Sequence, residues 1–429
     1  SSNDNSEEIT KDVNVSINNT SIKSDLLKVE MDEENKKVSV SLSETNFENL
    51  ATEKSQEAKL NINDNSDSDS FEFSLNGKLV EDMAKNDAGI DLIKKQAGYS
   101  LAAKQINIQE VSKGFSSQGD IDLEDIEVKI EISKPTNEEN ELIERVKNNN
   151  EFSIQTTPVK FSVKSSYKGE TIEIDKFSSF VTKTIELPKN VNSNQITTGV
   201  VIEPNGTVRH VPTKIVNQDG KRYALIKSLN NSIYTLIYNK LNFSDLESHW
   251  AKSDVNEMAS RNILKGVGDN EFKPDENVTR AEFAAIMLRA LGLKTGSKED
   301  IFKDVNESAW YSDVVSTIYE YGLITGYNNN NFKPDEKITR EEAAVIISRT
   351  TDLIAIGRDV KSSDLQIISN KFEDSSDISS WALNSVAKAY RMDLLKGRTQ
   401  SELSPKDPIT RAEASVVIMR LLKKASLIE

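Results

Sequence analysis

The chain has 429 residues, a formal charge of −15 at neutral pH and an isoelectric point near 4.9. That acidic balance argues against nucleic acid and anionic membrane surfaces as partners, since both need clustered lysine and arginine. Cysteine is absent and only His210 and His249 represent histidine, which removes disulfides and thiolate sites and leaves little room for a zinc site or a histidine-based triad.

No metal and no cofactor is therefore expected. No apolar run approaches the roughly 18 residues of a membrane span, so no membrane insertion is expected. Ser1–Asn5 lacks a charged-then-apolar leader, and an exported form would be a processed or trimmed one. The length suggests two to four domains.

Residues 1–20 read as a flexible polar segment, ordered only where Val13 to Ile17 alternate. Leu27, Val29 and Met31, a polar turn at Asp32–Asn35, then Val38, Val40 and Leu42 predict a β-hairpin. Phe71, Phe73 and Leu75 continue the period of two. Asn63–Asp69 (NDNSDSD) carries calcium-compatible oxygens, but it lacks the glycine and terminal glutamate of an EF-hand loop and reads as an exposed acidic loop.

Ala88–Gly98, with Ile90, Leu92 and Ile93, predicts a short helix. Ile106 and Ile108 predict the start of a strand, and Val128, Ile130 and Ile132 a full one. Asn137–Lys147 predicts a helix with acidic residues in its first turn. Strand patterns follow at Phe152–Ile154, Val159–Val163, Ile172–Ile174, Val181–Leu187, Tyr223–Leu225 and Ile233–Ile237, separated by turn signals at Lys168-Gly169, Pro204-Asn205-Gly206 and Gln218-Asp219-Gly220. Residues 20–240 thus predict a β-rich, antiparallel sandwich-like region, as two domains (21–113 and 114–240) or one.

From about residue 241 the period becomes helical. Helices are expected over 253–264, 280–291, 311–323, 340–351, 382–395 and 411–423. Across them one register recurs three times: Trp250, Gly266, Pro274, Arg280; Trp310, Gly326, Pro334, Arg340; Trp381, Gly397, Pro405, Arg411. Such self-similarity marks a repeat module. The expected repeats are 241–294, 295–352 and 371–429, with a linker at 353–370.

The flanking residues make the pattern more specific. Phe243-Ser244-Asp245, Gly266-Val267-Gly268-Asp269, Phe272-Lys273-Pro274 and Thr279-Arg280-Ala281-Glu282 recur as Phe302-Lys303-Asp304, Leu323-Ile324-Thr325-Gly326, Phe332-Lys333-Pro334 and Thr339-Arg340-Glu341-Glu342. They recur again as Phe372-Glu373-Asp374, Leu395-Lys396-Gly397, Leu403-Ser404-Pro405 and Thr410-Arg411-Ala412-Glu413. Residues 243–425 resemble a triplet of surface-layer homology (SLH) repeats, and residues 190–240 more loosely resemble the β segment that precedes such repeats.

The resemblance implies an all-α, pseudo-threefold C-terminal unit that holds a protein on the secondary cell-wall polysaccharide of a Gram-positive bacterium, outside the cell. The recognised element would be a pyruvylated sugar bound between neighbouring repeats. Carried over, Arg280, Arg340 and Arg411 would meet the ligand's carboxylate or hydroxyls. Trp250, Trp310 and Trp381 would wall the grooves, and Gly266, Gly326 and Gly397 would admit the sugar to the backbone. Asp245, Asp304 and Asp374 are candidates for a ligand contact or for capping the leading helices.

Each role has a structural alternative. The tryptophans could instead be core anchors and the arginines ion pairs, with the ligand role preferred for both, while the glycines are most cheaply read as helix C-caps. Thr-x-x-Glu is explained by capping alone. The third repeat departs most, with Arg398-Thr399-Gln400 after its glycine, and Glu341 beside Arg340 would compete with an anionic ligand. The expected function is non-catalytic, non-covalent anchoring, with other surface proteins or a second copy as candidate partners of the β-rich region. The rival readings are the anchoring end of a larger surface enzyme such as a glycoside hydrolase, and a carbohydrate-binding β module.

Overall fold

A computed structural model describes residues 12–50, 58–116, 119–296 and 301–429. Residues 1–11 of the expected flexible segment, and Ser117 within the expected domain boundary, lie outside the described residues. The chain forms two compact units: the described residues up to Val208 together with Ile215–Tyr238, and Arg209–Lys214 together with Asn239–Glu429.

The first unit is β-rich. One sheet runs in the order Lys221–Asn230, Lys176–Glu186, Ala97–Ala102, Gly89–Lys94, Lys59–Asp64, Val13–Ile17 and Thr20–Ser21. The other runs Thr198–Ile202, Ile233–Tyr238, Val159–Tyr167, Glu127–Ser133, Ser70–Asn76, Lys37–Leu42 and Leu27–Asp32. Both sheets mix strands from before and after residue 114. Alternate residues such as Val38, Val40, Phe71, Phe73, Ile130 and Ile132 are buried, as a half-buried strand requires.

The sheets meet face to face, with Tyr99 of the first edge-on to Phe161 of the second at 5.5 Å. The fully buried Lys183 lies 4.9 Å from the Tyr99 ring and 4.6 Å from that of Tyr234, and its Nζ donates to the Asn230 carbonyl at 2.8 Å. Stem burial and cation–π attraction make that placement tolerable.

Three expectations are corrected here. The sheets are mixed rather than antiparallel: Lys37–Leu42 runs parallel to Ser70–Asn76, and Lys59–Asp64 parallel to Gly89–Lys94. The predicted helix over 88–98 is a hairpin of Gly89–Lys94 and Ala97–Ala102; Ile90 and Leu92 are buried while Ile93 is 43% exposed, a period of two. The predicted strand start at Ile106 and Ile108 is instead a 3-10 turn, Ala103–Ile106, and a short helix, Ile108–Lys113. The expected helix at 137 is present as Asn137–Asn149, with a Thr136/Glu139 capping box.

The acidic loop is a folded turn. Asp64 is fully buried and accepts the Ser66 N–H at 2.9 Å and the Ser68 hydroxyl at 2.7 Å. Lys95 pairs with Asp67 and Lys134 with Asp69. Among the described residues no cluster of metal-ligating side chains occurs, and no helix is long and apolar enough to cross a membrane.

The second unit is helical. Each repeat has a leading helix (Lys252–Ser260, Ser312–Glu320, Leu383–Arg391) and a trailing helix (Arg280–Ala290, Arg340–Leu353, Arg411–Lys424). The segment between the second and third repeats carries a further helix, Ser362–Lys371. All three trailing helices start at a complete capping box, Thr279/Glu282, Thr339/Glu342 and Thr410/Glu413. Phe272, Phe332 and Leu403 are buried.

The repeats close on one another cyclically. Val278 N–H donates to Ile409, Ile409 to Ile338 and Ile338 back to Val278, at 3.0, 3.0 and 3.1 Å. Around that ring, the Arg280 N–H donates to Glu336 O, Arg340 to Asp407 O and Arg411 to Glu276 O. Each trailing helix thus begins against the proline loop of the following repeat, and the third begins against the first. This is a closed pseudo-threefold unit.

Candidate functional site

Each of the three inter-repeat junctions combines an arginine from one repeat with the Gly-to-Pro loop of the next. Arg280 Nε donates to Phe332 O at 2.9 Å and Nη1 to Glu342 Oε1 at 3.2 Å, while the guanidinium lies 4.7 Å from the Tyr327 ring. Arg340 repeats the arrangement one junction on, with Nε to Leu403 O at 2.9 Å, Nη1 to Glu413 Oε1 at 3.0 Å and Nη2 to Lys396 O at 2.5 Å. Arg411 closes the cycle: Nε reaches Phe272 O at 2.8 Å, Nη2 reaches Lys265 O at 2.9 Å, and the guanidinium lies 4.4 Å from the Phe272 ring.

These arginines are clamps, combining charge-assisted bonds with stacking in the way that suits a planar guanidinium. The capping-box glutamates therefore serve twice, once for their own helix and, at the first two junctions, once as counter-ion for the preceding repeat. Arg280 and Arg340 are 6% and 3% exposed; Arg411 is only half-buried. Burial pulls the Arg340 and Arg411 pKa values below the usual guanidinium value, opposed chiefly by Glu413 and Glu282 respectively. Burial alone would raise the Glu413 carboxyl, but Arg398, the Thr410 N–H and Arg340 hold it below its ordinary value.

The tryptophans are not core anchors. Trp250, Trp310 and Trp381 are 64%, 63% and 60% exposed, a large apolar surface to leave in water three times over. Residues flanking Trp250 and Trp381 reach the proline loops. His249, next to Trp250, meets Asp275 at 3.3 Å, and the adjoining Pro274 carbonyl takes the Ala412 N–H at 2.9 Å. Ser379, two residues before Trp381, bonds Glu341 beside Arg340. Next to Trp310, burial first, and then the carboxylates of Asp335 and Asp304, push the Tyr311 phenol above its ordinary value.

The glycines have a different cause from the C-cap reading. The C-caps of the leading helices are Arg261, Tyr321 and Met392, five positions earlier in each repeat. A Cβ at Gly266, Gly326 or Gly397 would lie 2.7, 2.3 or 2.6 Å from Cε1 of Phe243, Phe302 or Phe372. The loop thus passes directly over a buried ring.

The aspartates do not cap the leading helices, whose N-caps carry no side-chain bond. Asp245 instead accepts the N–H groups of Phe272 and Lys273, Asp304 those of Phe332 and Lys333, and Asp374 those of Leu403 and Ser404. Lys273, Lys333 and Ser404 have φ of 55°, 59° and 56°, so each carboxylate fixes a left-handed turn just before the proline.

Sequence reasoning marked Arg398 as a departure of the third repeat but missed Tyr327 and the part that the residue after each repeat glycine plays at the junctions. Tyr327 donates its hydroxyl to Glu342 at 2.6 Å, and Arg398 binds Glu413, Asp407 and Pro408 O. Burial and the Glu342 carboxylate raise the Tyr327 phenol well above its usual value. At the remaining junction Val267 stands there, 47% exposed. The signal was the triplet Val267, Tyr327, Arg398, a position that varies inside a fixed register. The third repeat also carries an open depression of about 720 Å³, lined by Lys371, Arg391, Lys396, Arg398 and Asp393 among others.

Comparison with known proteins matches residues 242–284, 301–344 and 371–415 to the S-layer homology domain. The chain is 35% identical over 183 residues to an amylopullulanase of Thermoanaerobacterium thermosulfurigenes, covering 43% of this chain and 10% of that protein. It is 30% identical over 187 residues to the surface-layer 125 kDa protein of Lysinibacillus sphaericus, covering 43% of this chain and 15% of that one. A cellulosome-anchoring protein of Acetivibrio thermocellus is 30% identical over 169 residues, 38% of this chain and 36% of its own length. The chain therefore spans little more than a third, at most, of these relatives.

Proposed function

Because its C-terminal unit is built of three S-layer homology domains, we propose that this chain anchors a bacterial cell-surface protein to the cell wall, non-covalently, by binding a secondary cell-wall polysaccharide. The repeats 241–294, 295–352 and 371–429 form the anchor, and the outer wall of a Gram-positive cell is its place of action. The single observation that carries this reading is the threefold exposure of tryptophan in a unit whose proline loops are each clamped by a guanidinium from the neighbouring repeat. An exposed indole face next to a rigid loop suits the apolar face of a sugar ring, and rigid support lowers the cost of binding.

The finer reading is a pyruvylated sugar. A ketal-linked pyruvate adds a carboxylate, which a guanidinium binds in a planar fork. Arg411 favours that role most, since it is the least buried of the three. Grooves sharing one scaffold would engage successive polymer units at high effective concentration, so modest single-site affinities give durable attachment.

The experiment is a titration of the full chain with purified wall polysaccharide before and after acid removal of pyruvyl groups. The expected result is at least about a tenfold loss of affinity on depyruvylation, the worth of one charge-assisted contact. Equal affinity for both polymers would overturn the carboxylate reading while leaving anchoring in place.

The names of the relatives favour a second reading. One relative is named an amylopullulanase, and the chain covers 10% of it, so the anchor would serve a longer surface enzyme such as a glycoside hydrolase. The β-rich unit would then be a spacer, a docking or lattice surface, or a carbohydrate-binding module. Release of reducing ends from amylose or xylan by the chain would favour an enzyme within it; no release under conditions of full wall binding would count against one.

A further inference from the structure

We propose that the groove between the second and third repeats is occupied by the chain's own carboxylate, Glu341, leaving two of the three grooves open to an anionic sugar. The inference rests on the reading of the grooves as glycan sites and goes beyond it, since it assigns their number and the residue that sets it.

The three junctions have the same backbone. The residue after each repeat arginine donates its N–H to the proline carbonyl of the next repeat: Ala281 to Pro334, Glu341 to Pro405 and Ala412 to Pro274, at 3.0, 3.0 and 2.9 Å. What differs is the pair of side chains brought together there. Two junctions place an alanine opposite the residue after proline, which is Asp335 or Asp275; the middle junction places Glu341 opposite Lys406. Both members of the pair change together, and in the opposite sense of charge.

Glu341 is held as a bound anion would be. It is 3% exposed. Its Oε2 accepts the Ser379 N–H at 2.9 Å, and its Oε1 accepts the Ser379 hydroxyl at 2.9 Å and Lys406 Nζ at 2.6 Å. Lys406 also donates to the Ser379 hydroxyl. Three donors from two segments of the third repeat thus converge on one carboxylate, two residues before the exposed Trp381. A surface ion pair needs no backbone donor and does not bury its acid; this carboxylate has both features.

Arg340 is paired with Glu413 just as Arg280 is with Glu342, so what sets the middle groove apart is Glu341, together with Arg398, which pairs with Glu413 and Asp407. A ligand carboxylate entering there would have to displace Glu341 from all three donors. At the junction holding Arg411 the corresponding positions are Ala412 and Asp275, and at that holding Arg280 they are Ala281 and Asp335, so neither has a carboxylate at the place of Glu341.

The test gives the middle groove the residues of its two counterparts, Glu341→Ala with Lys406→Asp, in the full chain. The probe is N-acetylmannosamine carrying a pyruvyl ketal, and the readout is the number bound, by native mass spectrometry and calorimetry. The expected result is two for the unaltered chain and three for the double variant, with the first two affinities unchanged. Glu341→Ala alone, which frees Lys406 and Ser379, is expected to open a third site that weakens steeply with salt. Three bound by the unaltered chain, or two by both variants when their unfolding transitions match the parent's, would overturn the inference and leave the anchoring reading intact. No binding by any form would overturn the pyruvylated-sugar reading, and this inference with it.

Discussion

An alanine at Gly326 would drive a Cβ to 2.3 Å from Cε1 of Phe302 and 2.8 Å from the Asn331 carbonyl. Overpacking of that kind costs about 1–3 kcal/mol, so Gly326→Ala should lower the thermal midpoint clearly and measurably. Trp310→Ala, at a side chain 63% exposed, should shift stability by no more than about 0.5 kcal/mol while weakening glycan binding. Thermal unfolding and polysaccharide titration of the two variants separate the roles that the repeat register had merged. The arginines cannot serve that purpose, because Arg280 and Arg340 are buried against Glu342 and Glu413, and removing one member of a buried pair costs roughly 3–5 kcal/mol. Register and residue type made Arg and Trp legible as the residues to watch. Nothing local in the sequence says that a side chain at the start of a helix reaches into the next repeat, so the clamp, and the glycine's debt to a phenylalanine ring 23 or more positions earlier, became visible only in three dimensions.

Helix starts were the most legible elements, because their cause is local. Each Thr-x-x-Glu forms its box with the threonine hydroxyl on the third N–H and the glutamate on the threonine N–H. Thr410→Ala should cost about 1 kcal/mol, readable as a shifted denaturant midpoint. Strand direction was not legible. The alternation of Phe71, Phe73 and Leu75 reports a half-buried strand but is the same for a parallel and an antiparallel neighbour.

The segment 209–214 gives the second unit a pH dependence. His210 is buried, and desolvation first, then the charges of Arg261 and Arg209, hold its pKa well below 6.5. Below that value the unfolded chain takes up a proton that the folded chain refuses. The folded state is therefore fully favoured above the unfolded pKa and loses stability as the pH falls beneath it. The thermal midpoint of the second unit should drop from about pH 7 to about pH 5, and His210→Gln should flatten that slope. An unchanged slope would assign the dependence to other groups.

Closure of the repeats into a ring makes each inter-repeat junction the joint product of two repeats, and the last is completed only when the third meets the first. A shared scaffold of this kind holds equivalent junctions at fixed spacing, which is what the proposed attachment to a repetitive polymer requires. The most direct measurement is co-sedimentation of the full chain with purified cell walls, beside a variant with Trp250, Trp310 and Trp381 all changed to alanine. The account predicts that the parent pellets with walls and the variant stays in solution while unfolding at the same temperature. Equal pelleting of both would contradict it.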